Sequence, residues 1–318
     1  MQKISVIIPC YNAHDFIIKC LDSLLMQTFK DFEVIIVNDC SDDDTVQIAN
    51  DWAEHHNLIV QVISNERNSG PSISRVKGAE LSQSEWVAFC DSDDWYEPDF
   101  LEKMYDKAQR DRCELIFCGY RNVIGKKLDS HALTKEDLVL TPQKAMYLNV
   151  DSLCMALVKR KIFIGAPLLD IRYGEDMALV PILIQSANSV GVLNDVLYNY
   201  RIRQGSASLC PSNIMIDSLV KSFNYINTYL DNKYKFEKEY LGIRNLIYGS
   251  LLNLFKYSYD KKKANELINE FEEDFPFWGK SKTLMRLPLF KRIYVVCAKY
   301  RLYFILYMLS HLHSIMLK

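Results

Sequence analysis

In the stretch WVAFCDSDDW, residues 86–95, three carboxylates fall within four positions directly after an apolar run: Asp91, Asp93 and Asp94. Like charges this close repel, and a cation or a proton offsets that cost. In an extended segment residues two apart face the same way, so Asp91 and Asp93 are expected to face one ion. Their oxygens suit a hard divalent cation such as Mg²⁺ or Mn²⁺, which often binds through one or two carboxylates plus substrate phosphates. No histidine or cysteine cluster lies nearby to favour zinc. An Asp-rich turn capping the helix that opens near Pro98 accommodates the same residues, so both readings stand at this point.

Other residues have types and positions suited to a phosphate-bearing ligand. The turn PCYN, residues 9–12, offers Tyr11 as a stacking surface for a base, and Asp39 ends an apolar run where it can accept a hydrogen bond from a base N–H. Packing for Tyr11 and helix capping for Asp39 are the alternatives. Arg75 in NSGPSISRVKG lies just inside a helix after a Gly-Pro turn, where a guanidinium can reach a diphosphate at the positive helix end. Glu175 and Asp176 in YGEDM open a helix. Adjacent helical side chains diverge by about 100°, so one of the pair is expected to face a given site as a general base. An acidic first turn favoured by the helix dipole is the alternative. Neither GxxxxGK[ST] nor a GxGxxG after the first strand is present, which weighs against P-loop hydrolases and dinucleotide oxidoreductases.

The elements that must position these groups alternate strand and helix. ISVIIP (4–9), FEVIIVND (32–39), IVQVIS (59–64) and WVAFC (86–90) read as strands, with helices over about 13–28, through DDDTVQIANDWAEHH, over 72–81 and from Pro98. Such runs predict an α/β fold with a mostly parallel sheet covered by helices on both faces. Each strand hands over to a polar cluster at its carboxyl end: Pro9, Tyr11 and Asn12, then Asn38 and Asp39, then Asn65 and Gly70, then Asp91 and Asp93. In open α/β sheets that rim is where ligands bind. Residues 113–208 read as mixed, with a strand at ELIFCGY, a polar excursion at GKKLDSHALTKED and a short helix after Thr141; from Ser212 the pattern is helical.

Composition is that of a globular protein, with 49% apolar and 25% charged residues and a net charge of −2 that argues against nucleic-acid binding. The charge is uneven. After Asp274 come eight lysines and arginines and no acidic residue, which leaves 38 − 8 = 30 basic against 40 acidic residues upstream. Nine cysteines without a CxxC pair suggest free thiols in a reducing compartment, and MQKISVIIPCYN enters a strand at once. A cytoplasmic location is therefore expected. Residues 280–318 combine dense aliphatic and aromatic residues with unopposed positive charge, but the uninterrupted apolar run Leu302–Leu309 is too short to span a bilayer. An interfacial position on an anionic membrane is expected for this tail, with packing on the catalytic domain or a homodimer contact as the alternatives.

Taken in order, SVIIPCYN (5–12), EVIIVNDCSDDDT (33–45), NSGPSISRVKG (68–78), WVAFCDSDDW (86–95), YGEDM (173–177) and YNYRIRQGSAS (198–208) resemble the family 2 glycosyltransferases of GT-A fold. The resemblance covers about residues 1–210, which it implies are the catalytic domain, with a nucleotide-binding half at 1–112 and an acceptor-side half at 113–210. Residues 211–318 form a helical C-terminal region outside it. The resemblance implies that Pro9, Tyr11 and Asp39 hold the uracil of a UDP-sugar, with Asn12 among the nucleotide-sugar-binding residues and Arg75 near the nucleotide or its phosphates. It implies that Asp91, Ser92 and Asp93 form the Asp-x-Asp motif, Asp91 meeting the ribose or the metal and Asp93 coordinating Mn²⁺ or Mg²⁺. Asp176 matches the base of inverting members, with Glu175 beside it, and Arg201, Arg203 and Gln204 match a basic loop that closes over the diphosphate. Two departures stand out: Ser74-Arg75-Val76 where the family often has Ala-Arg-Asn, and Asp94 as a competing metal ligand.

The function implied is metal-dependent, inverting transfer of a sugar to a hydroxyl of a glycan or lipid-linked acceptor in cell-surface polysaccharide synthesis. Two rivals remain: a sugar nucleotidyltransferase, which would normally carry a Gly-rich loop where this chain has PCYN, and a membrane-associated sugar-nucleotide binder without turnover.

Overall fold

The computed structural model describes residues 2–169, 171, 174–203 and 213–316. The chain forms two compact units, Met1–Gln204 and Gly205–Lys318.

The first unit is built on one mixed sheet. Its strands, among the described residues, are β1 (Ile4–Cys10), β2 (Phe32–Asn38), β3 (Val60–Ser64), β4 (Trp86–Phe89), β5 (Trp95–Tyr96), β6 (Leu115–Ile124), β7 (Lys127–His131), β8 (Leu138–Leu140), β9 (Ala156–Lys159) and β10 (Val190–Arg201). The order is β3-β2-β1-β4-β9-β6-β10-β5, with β7 paired to β6 and β8 to β10. β1 to β4 run parallel and β10 runs parallel to β6, while β9 enters antiparallel between β4 and β6. The expected α/β class and mostly parallel sheet are present. Strands buried on both faces read as unbroken apolar runs, and every residue of β1 is buried.

Helices α1 (Ile17–Leu25), α2 (Thr45–His55), α3 (Pro71–Leu81), α4 (Phe100–Asp111), α5 (Pro142–Ala145), α6 (Arg160–Ile164) and α7 (Glu175–Ser186) complete this unit. α3 opens at Gly70, whose φ of +87° suits a residue without a Cβ, and Pro71 then fills the first turn where no N–H is needed. It lies close on the sheet. A Cβ on Gly78 would come within 2.5 Å of Cγ2 of Ile7 and 3.3 Å of Cγ2 of Val37, both fully buried side chains. Gly78→Ala is therefore expected to destabilise by about 1–3 kcal/mol through overpacking, outweighing the helix-propensity gain of roughly 1 kcal/mol; a denaturant midpoint at or above wild type would refute this.

One local expectation is corrected. The polar excursion GKKLDSHALTKED contains β7, because its pairing with β6 satisfies the backbone despite the exposed side chains. The helix expected near Pro98 begins at Phe100, and residues 95–96 ahead of it pair as a short strand with β10.

The second unit is helical among its described residues: α8 (Asn213–Tyr229), α9 (Lys235–Leu241) running through a π-helical stretch (Gly242–Ser250) into α10 (Leu251–Tyr257), then α11 (Lys261–Asp274), α12 (Leu289–Lys299) and α13 (Tyr303–Met316). Its core packs aromatic side chains, with Phe271 stacked on Phe275 and edge-on to Phe223 and Trp278.

Candidate active site

Parallel register brings the carboxyl ends of the first strands level. Cys10 pairs with Asn38, and Asn38 with Ser64, and the chain continues this alignment past the strands: Asp39 N–H donates to the Cys10 carbonyl at 2.8 Å and Asn65 N–H to that of Asn38 at 2.8 Å. The four polar clusters thus meet along one rim.

At its β1–β2 end, Pro9 is buried and Tyr11 is 47% exposed. Asn12 takes a left-handed φ of 48° and its Oδ1 accepts the Asp42 N–H at 2.9 Å, tying the two loops together. Asp39 is buried, and its carboxylate organises the next loop. Oδ1 accepts from Asn65 Nδ2 and Ser69 N–H, each at 2.8 Å, and Oδ2 accepts from Gly70 N–H at 2.7 Å. The residue read as a base-recognition acceptor therefore also fixes the turn that launches α3. A carboxylate oxygen has two lone pairs, so Oδ2 retains capacity for a second donor.

Arg75 projects from α3 to the centre of the rim and is 2% exposed. Its Nη2 donates to Asp91 Oδ1 at 2.7 Å, and its Nη1 to Glu175 Oε1 at 2.9 Å and Asp176 Oδ1 at 3.2 Å. One guanidinium thus bridges the end of β4 to the start of α7. Burial works against its charge, but Asp176 and Asp91 outweigh it and hold Arg75 firmly protonated. The expectation that only one of Glu175 and Asp176 would face a given site is corrected. A planar fork set against the first turn of a helix accepts both, despite their angular divergence. Asp176 Oδ2 also accepts the Leu153 N–H at 3.0 Å. Burial is the main force on the Asp176 carboxyl and drives it up to about 7; Arg75 pulls it back and Glu175 adds to the rise. That is a value suited to a general base near neutral pH.

The Asp cluster is resolved in a way its spacing does not convey. Asp91 to Asp94 form a turn, the Asp94 N–H donating to the Asp91 carbonyl at 3.0 Å, with the partly buried Ser92 within it. The extended geometry expected to align Asp91 and Asp93 is absent, because the chain must reverse to enter β5. Asp94 is 1% exposed and faces inward. Its Oδ2 accepts the Tyr198 hydroxyl and its Oδ1 the Arg201 N–H at 2.7 Å. Burial, then Asp91 and Asp93, push its carboxyl well above the usual range. Asp94 therefore anchors β10. Asp93 pairs with Arg203 through Oδ2 to Nε at 3.0 Å, and Arg201 Nε donates to the Asp93 carbonyl at 2.9 Å. Both guanidinium groups lie over the Phe16 ring, at 5.3 and 4.5 Å from its centroid. Gln204 lies outside the described residues.

Among the described residues no group of three or more His, Cys, Asp or Glu side chains forms a preassembled cation cage. Asp91 and Asp93 nevertheless fit a hard divalent ion. They are oxygen donors, Asp91 is about a third exposed, and burial plus the Asp91 charge hold Asp93 above its ordinary value. Such a pair suits an ion whose other ligands are substrate phosphates.

A family model for glycosyl transferase family 2 matches residues 5–164, half of the chain. The chain belongs to glycosyl transferase family 2. This family 2 member is 30% identical over 268 residues to glycosyltransferase GlyA of Streptococcus pneumoniae, an alignment covering 79% of this chain and 38% of that protein. It is 30% identical over 220 residues to the uncharacterized glycosyltransferase EpsJ of Bacillus subtilis, covering 65% and 63%. It thus spans less than two thirds of either relative. Crystal structures of S. aureus TarS 1–349 superpose with TM-scores of 0.71 in complex with UDP and 0.68 in complex with UDP-GlcNAc. Identity is 20%, and the match covers 98% of this chain and 91% and 92% of those chains. The fold of this family 2 chain is GT-A, a mostly parallel sheet flanked by helices and followed by a helical C-terminal region.

Tyr198 and the Leu153 backbone are the supporting groups that motif reading missed. Tyr198 stands in YNYR beside Asn199, which is also buried, and nothing in its spacing names Asp94 as partner. Leu153 acts through its N–H, which no side-chain pattern reveals.

Proposed function

We propose that the chain is an inverting, metal-dependent glycosyltransferase that moves a hexosyl or N-acetylhexosaminyl group from a UDP-sugar to a hydroxyl of a glycan or lipid-linked acceptor. The setting would be cell-surface polysaccharide synthesis at the cytoplasmic face of the membrane. The observation that carries this reading is the Arg75 bridge, which holds Asp91 of the Asp-x-Asp motif and the carboxyl of Asp176 on one buried guanidinium. TarS, of the same fold, has been crystallised with UDP and with UDP-GlcNAc, which supports the donor class.

In this reading Tyr11, Asn12 and Asp39 receive the nucleoside and Asp91 and Asp93 would hold the divalent ion. When bound, that ion supplies positive charge to the diphosphate leaving group. Arg201 and Arg203, now held against Asp93, are positioned to transfer part of their pairing to the diphosphate as charge builds there. Asp176 accepts the proton of the acceptor hydroxyl while that oxygen attacks the anomeric carbon from the face opposite the leaving group. No covalent enzyme intermediate is formed. Arg75 orients the base and keeps its ionised form accessible.

Release of UDP from UDP-glucose, UDP-galactose and their N-acetyl relatives, measured with Mn²⁺ added or chelated, tests the proposal. Metal-stimulated UDP release from at least one donor is expected; tight donor binding without release would assign a sugar-nucleotide binder instead. The same assay carries a pH prediction. The base works ionised and its carboxyl stands at about 7, so kcat/KM should fall roughly tenfold per pH unit below that value and level off above it. A profile flat down to pH 5 would remove Asp176 from the role.

A further inference from the structure

The second unit ends in a helical pair whose outer face is nearly as apolar as its inner one. α12 and α13 pack together, with the Tyr294 hydroxyl and Ser310 Oγ 2.9 Å apart, and Tyr294, Val295, Cys297, Ala298, Leu306 and Ser310 are buried within the unit. A surface helix ordinarily turns charged and polar residues to the opposite side. Here α12 and its C-cap expose Leu289, Ile293, Val296 and Tyr300, at 63, 47, 39 and 72%, spaced i, i+4, i+7 and i+11 along one stripe. α13 exposes Phe304, Ile305, Met308 and Leu312, at 67, 42, 55 and 49%. Met285, just before α12, is 71% exposed. Apolar side chains recurring at helical spacing on two packed helices are more than the singly scattered surface residues that need no explanation.

Charge identifies the occupant. Eight lysines and arginines follow Asp274 and no acidic residue does. Two of these cations work inward: Lys299 Nζ lies 2.6 Å and Arg301 Nη2 3.0 Å from the Glu272 carboxylate, pinning the turn between the helices to α11. Lys282 and Arg286 stand exposed beside Met285, and Lys291 and Arg292 flank the α12 stripe, half-buried. A second copy of this chain would bring like charges together across the stripe. A nucleic acid would neutralise the cations and leave the apolar stripes in water. An anionic bilayer surface satisfies both, since headgroup phosphates meet the cations while the apolar side chains enter the acyl boundary. No helix among the described residues is long and apolar enough to cross a membrane.

We infer that the outer face of α12 and α13, with the basic segment leading into it, is an in-plane docking surface for anionic lipid. This sharpens the expectation of a membrane-binding tail: the binding element is a two-helix surface, and Lys299 and Arg301 brace it rather than contact lipid. The surface is independent of the chemistry proposed above.

Sedimentation of the full chain with vesicles tests it. Vesicles of phosphatidylcholine containing one third phosphatidylglycerol should carry the protein down at low salt, pure phosphatidylcholine vesicles should not, and binding to the former should weaken as salt rises. The double variant Ile293→Asp/Phe304→Asp should lower partitioning by about tenfold or more, with melting temperature and donor turnover in solution unchanged because both positions are exposed. Lys282→Glu/Arg286→Glu should weaken the salt-sensitive part, with Lys291 and Arg292 left to supply the remainder. Leu128→Asp, at a 59% exposed apolar position on β7, should leave partitioning intact. Equal partitioning of wild type and the double variant overturns the inference. So does absence of binding by wild type, or a wild-type dimer in sedimentation equilibrium that the double variant abolishes without any vesicle binding.

Discussion

Asp176→Asn is expected to lower kcat for sugar transfer by about a thousandfold while leaving the KM for the donor within a few-fold of wild type. General-base catalysis typically contributes 10²–10⁴-fold, and an amide has no basic oxygen of comparable strength. The substitution is nearly isosteric: the Asn carbonyl oxygen can still accept from Arg75 or from the Leu153 N–H, so the site should remain assembled. Stability sharpens the test. The folded carboxyl stands at about 7, above its ordinary value, so the folded state takes up a proton more readily than the unfolded chain. Ionised Asp176 therefore works against folding above pH 7, and that cost is relieved progressively as pH falls from 7 toward the ordinary carboxylate range. The variant should melt at or above wild type at pH 8 and lose most of this advantage by pH 5. An inactive but destabilised variant would point to a structural carboxylate. Retained transfer would remove the base assignment outright.

The second large effect concerns Arg75. Arg75→Ala removes a cation bonded to Asp91, Glu175 and Asp176 together, and the loss of one partner in a buried ionic cluster typically costs about 3–5 kcal/mol. A fall in melting temperature alone would not separate scaffold from mechanism. Arg75→Lys does. An ammonium is a single point charge and cannot span β4 and α7 as a planar fork does. The Lys variant should fold, bind donor with modest loss, and turn over about 10- to 100-fold more slowly, as expected when a catalytic group is misplaced by about an ångström. Because Arg75 pulls the Asp176 carboxyl down, weakening that pairing should also move the acid limb of the pH profile upward. A Lys variant with wild-type turnover and an unmoved limb would reduce Arg75 to packing.

The contrast between these two residues indicates what sequence conveys here. Strand ends could be located because buried parallel strands leave continuous apolar runs, and a polar residue after such a run marks the rim: Asp39, Asn65 and Asp91 were all found that way. Partnership was harder. Arg75 was expected near phosphates, and its three carboxylate partners lie 16, 100 and 101 positions away. Spacing carries no trace of a contact made by folding. The Asp cluster shows the same limit, since three equivalent-looking aspartates are separated only by what each meets: Arg75 for Asp91, Arg203 for Asp93, and Tyr198 with the Arg201 N–H for Asp94. The outer face of α12 and α13 was half legible. Its composition was evident, but the division of its cations between bracing and exposure depends on Glu272, which lies outside the segment.

The inward aspartate has a consequence for anyone recombining these enzymes. A natural place to exchange donor modules would be the loop after α4, near residue 112, where the sequence motifs alone would end a nucleotide-binding half. Asp94, however, takes both its hydrogen bonds from β10, and β9 is inserted between β4 and β6, so a crossover there would join an orphaned buried carboxylate to a foreign strand. The smallest portable cassette therefore extends through Arg203. Chimeras cut earlier should express as aggregates, while those that carry residues 1–203 as one piece should keep their donor preference.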